Sequence, residues 1–485
     1  FRNFSEYYSI QNHFPVIYGI NAFGVPASEP EKRQAQAKQL KAYLLFFEQL
    51  IANFLMNIQG ISRFFSIDEA LEQSYFSQML DDKGVPNVEG LYTLPQNQNK
   101  VAEILKRYDP FFDRRGRVLD YLLGLYGEKF SQHALRHYSD YHEGEKLGHE
   151  LIRNKINFLK RIVEISRMRA GAVNVQELSW NSENIAVLEK KVAILLAIPF
   201  FKNRSLVDVF IEKGLELLTD TQFKSVKEGT IALEYVDLSD ISERIDREFL
   251  VLPRRKSNDP DDEKLKREIV GLKNNTLSGS ILRNGIFLDR YRVGSTGRQK
   301  NVQLVFKPDE TSRWEYLASY PTLDEAVRAA NDLRDFLIKL NRESEGLHLV
   351  EHLLLRPSQG VKDERVPDDF YPFKMSVLFP NWTTRFHDRE FQKLAEETVR
   401  LNTPAHIYLE FYWLEFSQMN DFEVRYLTWL ERLWLKNKME NENAIAKLDE
   451  AAKGLRDFLF EHASSSSSKL GDRNTRETAV GDERE

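Results

Sequence analysis

From Glu31 to Ile58, apolar residues return every three or four positions, at Leu40, Leu44, Phe47, Ile51, Phe54 and Ile58. This spacing predicts one long amphipathic helix, and Gly60 is expected to stop it. With roughly three heptads, the seam fits packing inside a domain as well as pairing with a partner helix, internal packing being the preferred expectation. Leu40, Leu44, Phe47, Ile51 and Phe54 are therefore interface candidates. The same period recurs at Ile152, Ile156, Leu159 and Val163, and again at Ile185, Leu188, Val192 and Leu195 before Pro199, so residues 1–227 are expected to be mainly helical.

Between residues 228 and 275 the pattern dissolves into charge, with Pro253-Arg-Arg-Lys256 close to Asp259-Pro-Asp-Asp-Glu263, and a linker open to domain motion is expected. Beyond it the period changes to two. Ile281–Asn284, Phe287–Val293, Val302–Phe306 and Trp314–Ser319 are strand candidates of a small antiparallel sheet. Thr322 and Glu325 form a capping box, and Leu323, Ala326, Ala330, Leu333, Leu337 and Leu340 predict a helix covering that sheet, giving an α+β unit over 276–345.

A second α+β unit, again with a small antiparallel sheet, is expected over 346–416, with strands Lys374–Phe379 and Ile407–Phe416 flanking a helix that carries Phe391, Leu394 and Val399. Neither alternating set of the last strand is cleanly polar, so something should pack on each face. A helical hairpin over 417–463 and a disordered tail over 464–485 complete the reading. The hairpin's first helix carries aromatic residues around much of its circumference. This makes Tyr426, Trp429 and Trp434 interface candidates, with burial against the preceding domain standing level with a partner surface.

Composition narrows the function. The chain has 485 residues, room for roughly three domains; its 68 Lys plus Arg against 74 Asp plus Glu leave a net charge of −6, which argues against a nucleic-acid binder. The absence of Cys excludes disulfides, thiolate metal sites and a cysteine nucleophile. The longest uncharged apolar run, Val192–Phe201, is too short to span a bilayer, so no transmembrane segment is expected. The chain begins on Phe1 without signal-peptide features, and its start is expected to be cut or processed. The 32 Phe, 19 Tyr and 6 Trp point towards assembly, because aromatic side chains dominate interface energetics.

One segment has the form of a catalytic motif. His348-Leu-Val-Glu-His352 matches the H-x-x-E-H pattern of inverted zinc peptidases, in which two imidazoles on a helix face hold zinc and the carboxylate serves as general base. Gly346 and Pro357 leave little room for such a helix, and a strand is preferred, with structural histidines bonded to Glu351 or Arg356. No third ligand is selected among Asp363, Glu364 and Asp368. His133, His137, His142 and His149 lie in an exposed polar stretch, and Gly294-Ser-Thr-Gly297 reads as a hairpin loop rather than a phosphate cradle. No catalytic residue, resident metal or cofactor is expected.

Both ends of the chain carry a resemblance. Tyr8-Ser-Ile-Gln-Asn-His-Phe-Pro-Val-Ile-Tyr-Gly19 continues into Gln34-Ala-Gln-Ala-Lys-Gln-Leu-Lys-Ala-Tyr-Leu-Leu-Phe-Phe-Glu-Gln49. Later come Glu345-Gly-Leu-His-Leu-Val-Glu-His-Leu-Leu-Leu-Arg-Pro357, the Phe373–Pro380 strand and Asn402-Thr-Pro-Ala-His-Ile-Tyr-Leu-Glu-Phe-Tyr-Trp-Leu414. Taken in order, these blocks resemble wedge proteins from the baseplates of phage-tail-like contractile injection systems. The pattern residues are Gln11, Phe14, Pro15, Tyr18, Gly19, His348, Glu351, His352, Arg356, Pro404, His406 and Trp413.

The resemblance implies a non-enzymatic subunit of a sixfold baseplate that couples target contact to sheath contraction. It would assemble in the bacterial cytoplasm within a particle that is either released or membrane-anchored. The implied partners are other wedge subunits, the central spike and tube, and sheath proteins, with no nucleic acid and no direct membrane insertion. The alternatives are a zinc-dependent hydrolase built on His348, Glu351 and His352, or a soluble helical adaptor using the Leu40–Ile58 seam.

Overall fold

The computed structural model describes residues 7–82, 84–88, 91, 100, 103–129, 141, 144–199, 202–225, 250–251, 275–294, 301–312, 314–358, 366–367, 369–439 and 441–477. Two units emerge from the tertiary contacts, Phe1–Lys129 with Gly144–Val163 and Phe130–Glu143 with Glu164–Glu485. The fold class is α+β.

In the first unit, α1 (Glu31–Phe64), α2 (Phe111–Gly124) and α3 (Gly144–Arg167, as far as Val163) enclose Phe64, Leu71, Phe111, Leu119, Ile152 and Ile156. α1 does not stop at Gly60. The Phe76 ring lies against that glycine, where a Cβ would overlap it, so the residue permits a close approach inside the helix. The helix ends at Phe64 instead, where the buried Arg115 guanidinium donates to the carbonyls of Phe64, Ser66 (2.7 Å) and Asp68 (3.2 Å). That satisfies acceptors left open at a helix C-terminus.

The second unit holds α4 (Val187–Leu195), α5 (Asp208–Glu212), β1 (Glu216–Leu218) and α6 (Asp220–Ser225). β2 (Leu250–Val251) lies inside the expected linker, of which only residues 250–251 and 275 are described. β3 (Thr276–Ser278) pairs in parallel with β1. The first strand candidate, Ile281–Asn284, is instead α7 (Gly279–Asn284), because one turn of buried Ile281 and Leu282 satisfies a short apolar run as well as a strand does.

β2, β4 (Tyr291–Gly294), β5 (Val302–Phe306) and β6 (Glu315–Tyr320) form an antiparallel sheet in that order; of the Gly294–Gly297 segment expected as a hairpin loop, only Gly294 is described. α8 (Leu323–Ser344) covers it through Ala326, Ala330, Leu333, Leu337 and Leu340, and Thr322 caps the Glu325 N–H at 3.3 Å.

The third sheet orders β7 (His348–Glu351), β8 (Lys374–Pro380) and β9 (Tyr408–Leu414). β8 and β9 pair in parallel, unlike the antiparallel arrangement expected, because α9 (Thr384–His387) and α10 (Arg389–Asn402) between them carry the chain back across the sheet. Both faces are covered. Leu347, Val377, Phe379 and Trp413 meet α4 and α10, while Val350, Leu378, Tyr412 and Leu414 meet the hairpin of α11 (Phe416–Lys438) and α12 (Glu442–Glu477).

One buried cluster extends from Leu206 to Leu459, so the two α+β pieces and the hairpin share a core. α12 continues to Glu477, through residues 464–477 of the stretch expected to be a disordered tail, while 478–485 lie outside the described residues; extending a helix that is already nucleated requires no new apolar anchor.

Candidate functional site

Every polar position of the Glu345–Pro357 block that is buried holds a defined partner. Glu345 accepts two hydrogen bonds from Arg385, one from Nε at 3.0 Å and one from Nη2, and a third from the Tyr141 hydroxyl at 2.6 Å. Arg385 comes from α9, so this fork ties the end of α8 to the crossover of the third sheet. Arg204 adds donation to the Glu343 carbonyl and, at 3.3 Å, to that of Glu345.

His348 lies among the rings of Trp180, Phe422 and Tyr426, and its Nε2 meets Glu423 Oε1 at 3.0 Å. Glu423 also accepts from the Leu206 N–H at 2.7 Å and from the Ser205 hydroxyl. His352 is fully buried. Its Nδ1 is 2.9 Å from the Phe370 carbonyl, which can only accept, so Nδ1 carries the proton and Nε2 accepts from the Ser376 hydroxyl at 2.7 Å. Desolvation holds this imidazole below its usual pKa, in keeping with a neutral ring.

The zinc arrangement is not assembled at this motif. β7 is a strand, so Glu351 points to the opposite face from His348. Both nitrogens of His352 and the Nε2 of His348 are occupied by other groups. The expected partners Glu351 and Arg356 are replaced by Glu423, Ser376 and the Phe370 carbonyl, and Arg356 is exposed. Of the looser histidine group only His149 is described, packed edge-on against Phe112; His133, His137 and His142, and likewise Asp363, Glu364 and Asp368, lie outside the described residues.

The interface candidates separate by burial. Tyr426 and Trp429 are each 3 % exposed and belong to the hairpin's own core, so they are not available to a partner. The reason is that α11 meets β7, Trp180 and α12 together, which covers more of its circumference than one hairpin arm could. Trp434 is half-buried beside Lys438. Of the remaining pattern residues, Trp413 stacks on Phe379 and donates to Glu396 at 3.1 Å, His406 is exposed beside Phe373, and Pro404 is exposed.

α1 presents the reverse situation. Its inward face is Ala37, Lys41, Leu44, Glu48 and Ala52, a stripe rotated from the expected seam. Glu48 accepts from the Ser9 hydroxyl (2.6 Å), the Gln11 N–H (3.3 Å) and the Tyr7 hydroxyl, and Lys41 donates to the Pro86 carbonyl. Burial and the Glu48 carboxylate push the Tyr7 phenol well above its usual value. The side-chain amides of Gln49 and Asn57 donate to the carbonyls of Gln78 and Phe76 at 2.7 and 2.8 Å.

Leu44 is therefore buried and Leu40 half-buried, but Phe47, Ile51 and Phe54 are exposed, joined by Tyr43, Phe46 and Leu50, which periodicity alone did not single out. The signal was present in the sequence: from Ala42 to Ser62 the only charged residue is Glu48. By length and composition α1 also meets the requirement for crossing a membrane, which a search for unbroken apolar runs misses because Glu48, Gln49, Asn53 and Asn57 interrupt it. Gln11 is buried against α1; Phe14 is half-buried, Pro15 and Tyr18 are exposed, and Gly19 takes a left-handed turn at φ 66° where Val25 leaves no room for a Cβ.

No family model matches the chain, and no curated protein matches it.

Proposed function

We propose that this chain is a structural subunit of a baseplate wedge in a phage-tail-like contractile injection system, positioned among other wedge subunits around the central spike and tube. The observation that carries the reading is the fate of the ordered sequence blocks. The Glu345–Pro357 block, the most enzyme-like of them, puts its buried polar groups into joints between elements: Glu345 to Arg385, His348 to Glu423, His352 to Ser376. Groups spent on joining elements support mechanical work, since a rigid lever transmits displacement only if its packed elements do not slide.

The apolar outer face of α1 supports the same reading, because a patch of this kind marks an interaction surface. The reading is tested by co-expressing the chain with the remaining baseplate components and imaging the product. Sixfold rings containing the chain are expected, with the ring yield reduced at least tenfold by Phe54→Glu, whose side chain is exposed and not needed for folding. Rings that form normally without the chain would sink it.

A further inference from the structure

The exposed face of α1 has a geometry of its own. Tyr43, Phe47, Leu50, Phe54, Ile61 and Phe65 follow one another at spacings of three or four, with half-buried Ile58 filling the one longer gap, which is the seam of a helix pair. Together with Phe46 and Ile51, the exposed members each leave between 40 % and 65 % of their surface open. At roughly 100 Å² apiece they offer about 800 Å², the share each partner contributes to a stable protein interface.

We infer that a second copy of this chain covers the face, with the two α1 helices antiparallel about a two-fold axis at Phe54. Three observations choose this occupant. The area is that of a self-sufficient dimer. The face carries no charge, so apposing it to itself creates no repulsion. The seam is symmetric about Phe54: Tyr43, Phe47 and Leu50 stand as far before it as Phe65, Ile61 and Ile58 stand after it.

Antiparallel apposition about Phe54 sets each of these residues against an apolar counterpart of the second copy, position 43 against 65, 47 against 61 and 50 against 58. A lipid bilayer is the poorer occupant. The other face of the same helix holds Lys41 and Glu48 in hydrogen bonds to Pro86, Ser9 and Tyr7, and insertion would strip those charges of their partners. The inference takes the same α1 face that supports the baseplate reading, but it is read on the isolated chain, so a failure to dimerise leaves ring formation with the other baseplate components as a separate outcome.

Sedimentation of the purified 485-residue protein over a wide concentration range tests it, and a reversible monomer–dimer equilibrium is expected. Phe54→Glu, which places two carboxylates at the axis, should weaken the dimer roughly a hundredfold while leaving the circular dichroism spectrum unchanged. The chain has no cysteine, so orientation is read by single-cysteine variants under a mild thiol oxidant. Phe47→Cys mixed with Ile61→Cys should give the mixed disulfide, and neither variant should link to itself.

A protein that stays monomeric at all concentrations overturns the inference. So does self-linkage of Phe47→Cys, which reports a parallel pair, or flotation of the wild-type chain with phosphatidylethanolamine–phosphatidylglycerol vesicles in place of dimerisation.

Discussion

Arg385 and Glu345 are each almost fully buried, and their fork is an ion pair closed off from water. Removing one partner strands a charge where water cannot reach it, so Arg385→Ala should destabilise this unit by about 3–5 kcal/mol. Chemical denaturation measures it, and a loss under 1 kcal/mol would mean the joint is dispensable. Glu189 is a different case. It lines a small pocket with Lys202, Arg204 and Glu345, and burial pushes its carboxyl up to about 8 from 4.5. The folded chain therefore keeps a proton that the unfolded chain releases, and this contribution, fully present below about pH 4.5, is lost as pH rises to about 8. The slope is about 1.4 kcal/mol per pH unit. Glu189→Gln should flatten it, so that the variant gains on the wild type steadily from pH 5 to pH 8; parallel stability curves would refute the assignment. Neither feature was visible in the sequence. Arg385 stands forty positions from Glu345, and nothing local marks one as the other's partner.

At the scale of elements, the amphipathic periods located α1, α3, α4, α8 and α10 and the two helices of the hairpin, because a helix's repeat is a local property of its own residues. Errors arose where local rules have two outcomes. Gly60 is a helix stop in isolation, but here it admits the Phe76 ring; Gly60→Ala should cost about 1–3 kcal/mol through overlap despite the better helix propensity of alanine. A variant of unchanged or higher stability would show that the ring gives way freely. Ile281–Asn284 became a helix for the same kind of reason, four apolar-rich residues being too few to fix a period.

In the whole molecule, Gly60 and Arg385 belong to different units with separate buried clusters. Calorimetry should accordingly resolve two transitions, Gly60→Ala lowering one and Arg385→Ala the other; a single transition moved by both would show one cooperative body. The sequence by itself determined the α+β class, the strand character of the His348–Glu351 segment and the need for cover on both faces of the last strand, since each follows from short-range periodicity or from chain length between Gly346 and Pro357. Only the tertiary structure decided that Tyr426 and Trp429 are core while Phe47 and Phe54 are surface, and that the motif imidazoles are held by Glu423, Ser376 and the Phe370 carbonyl. Those outcomes depend on which distant segments arrive against a given face, and an apolar stripe has the same pattern whether its neighbour comes from its own chain or from another.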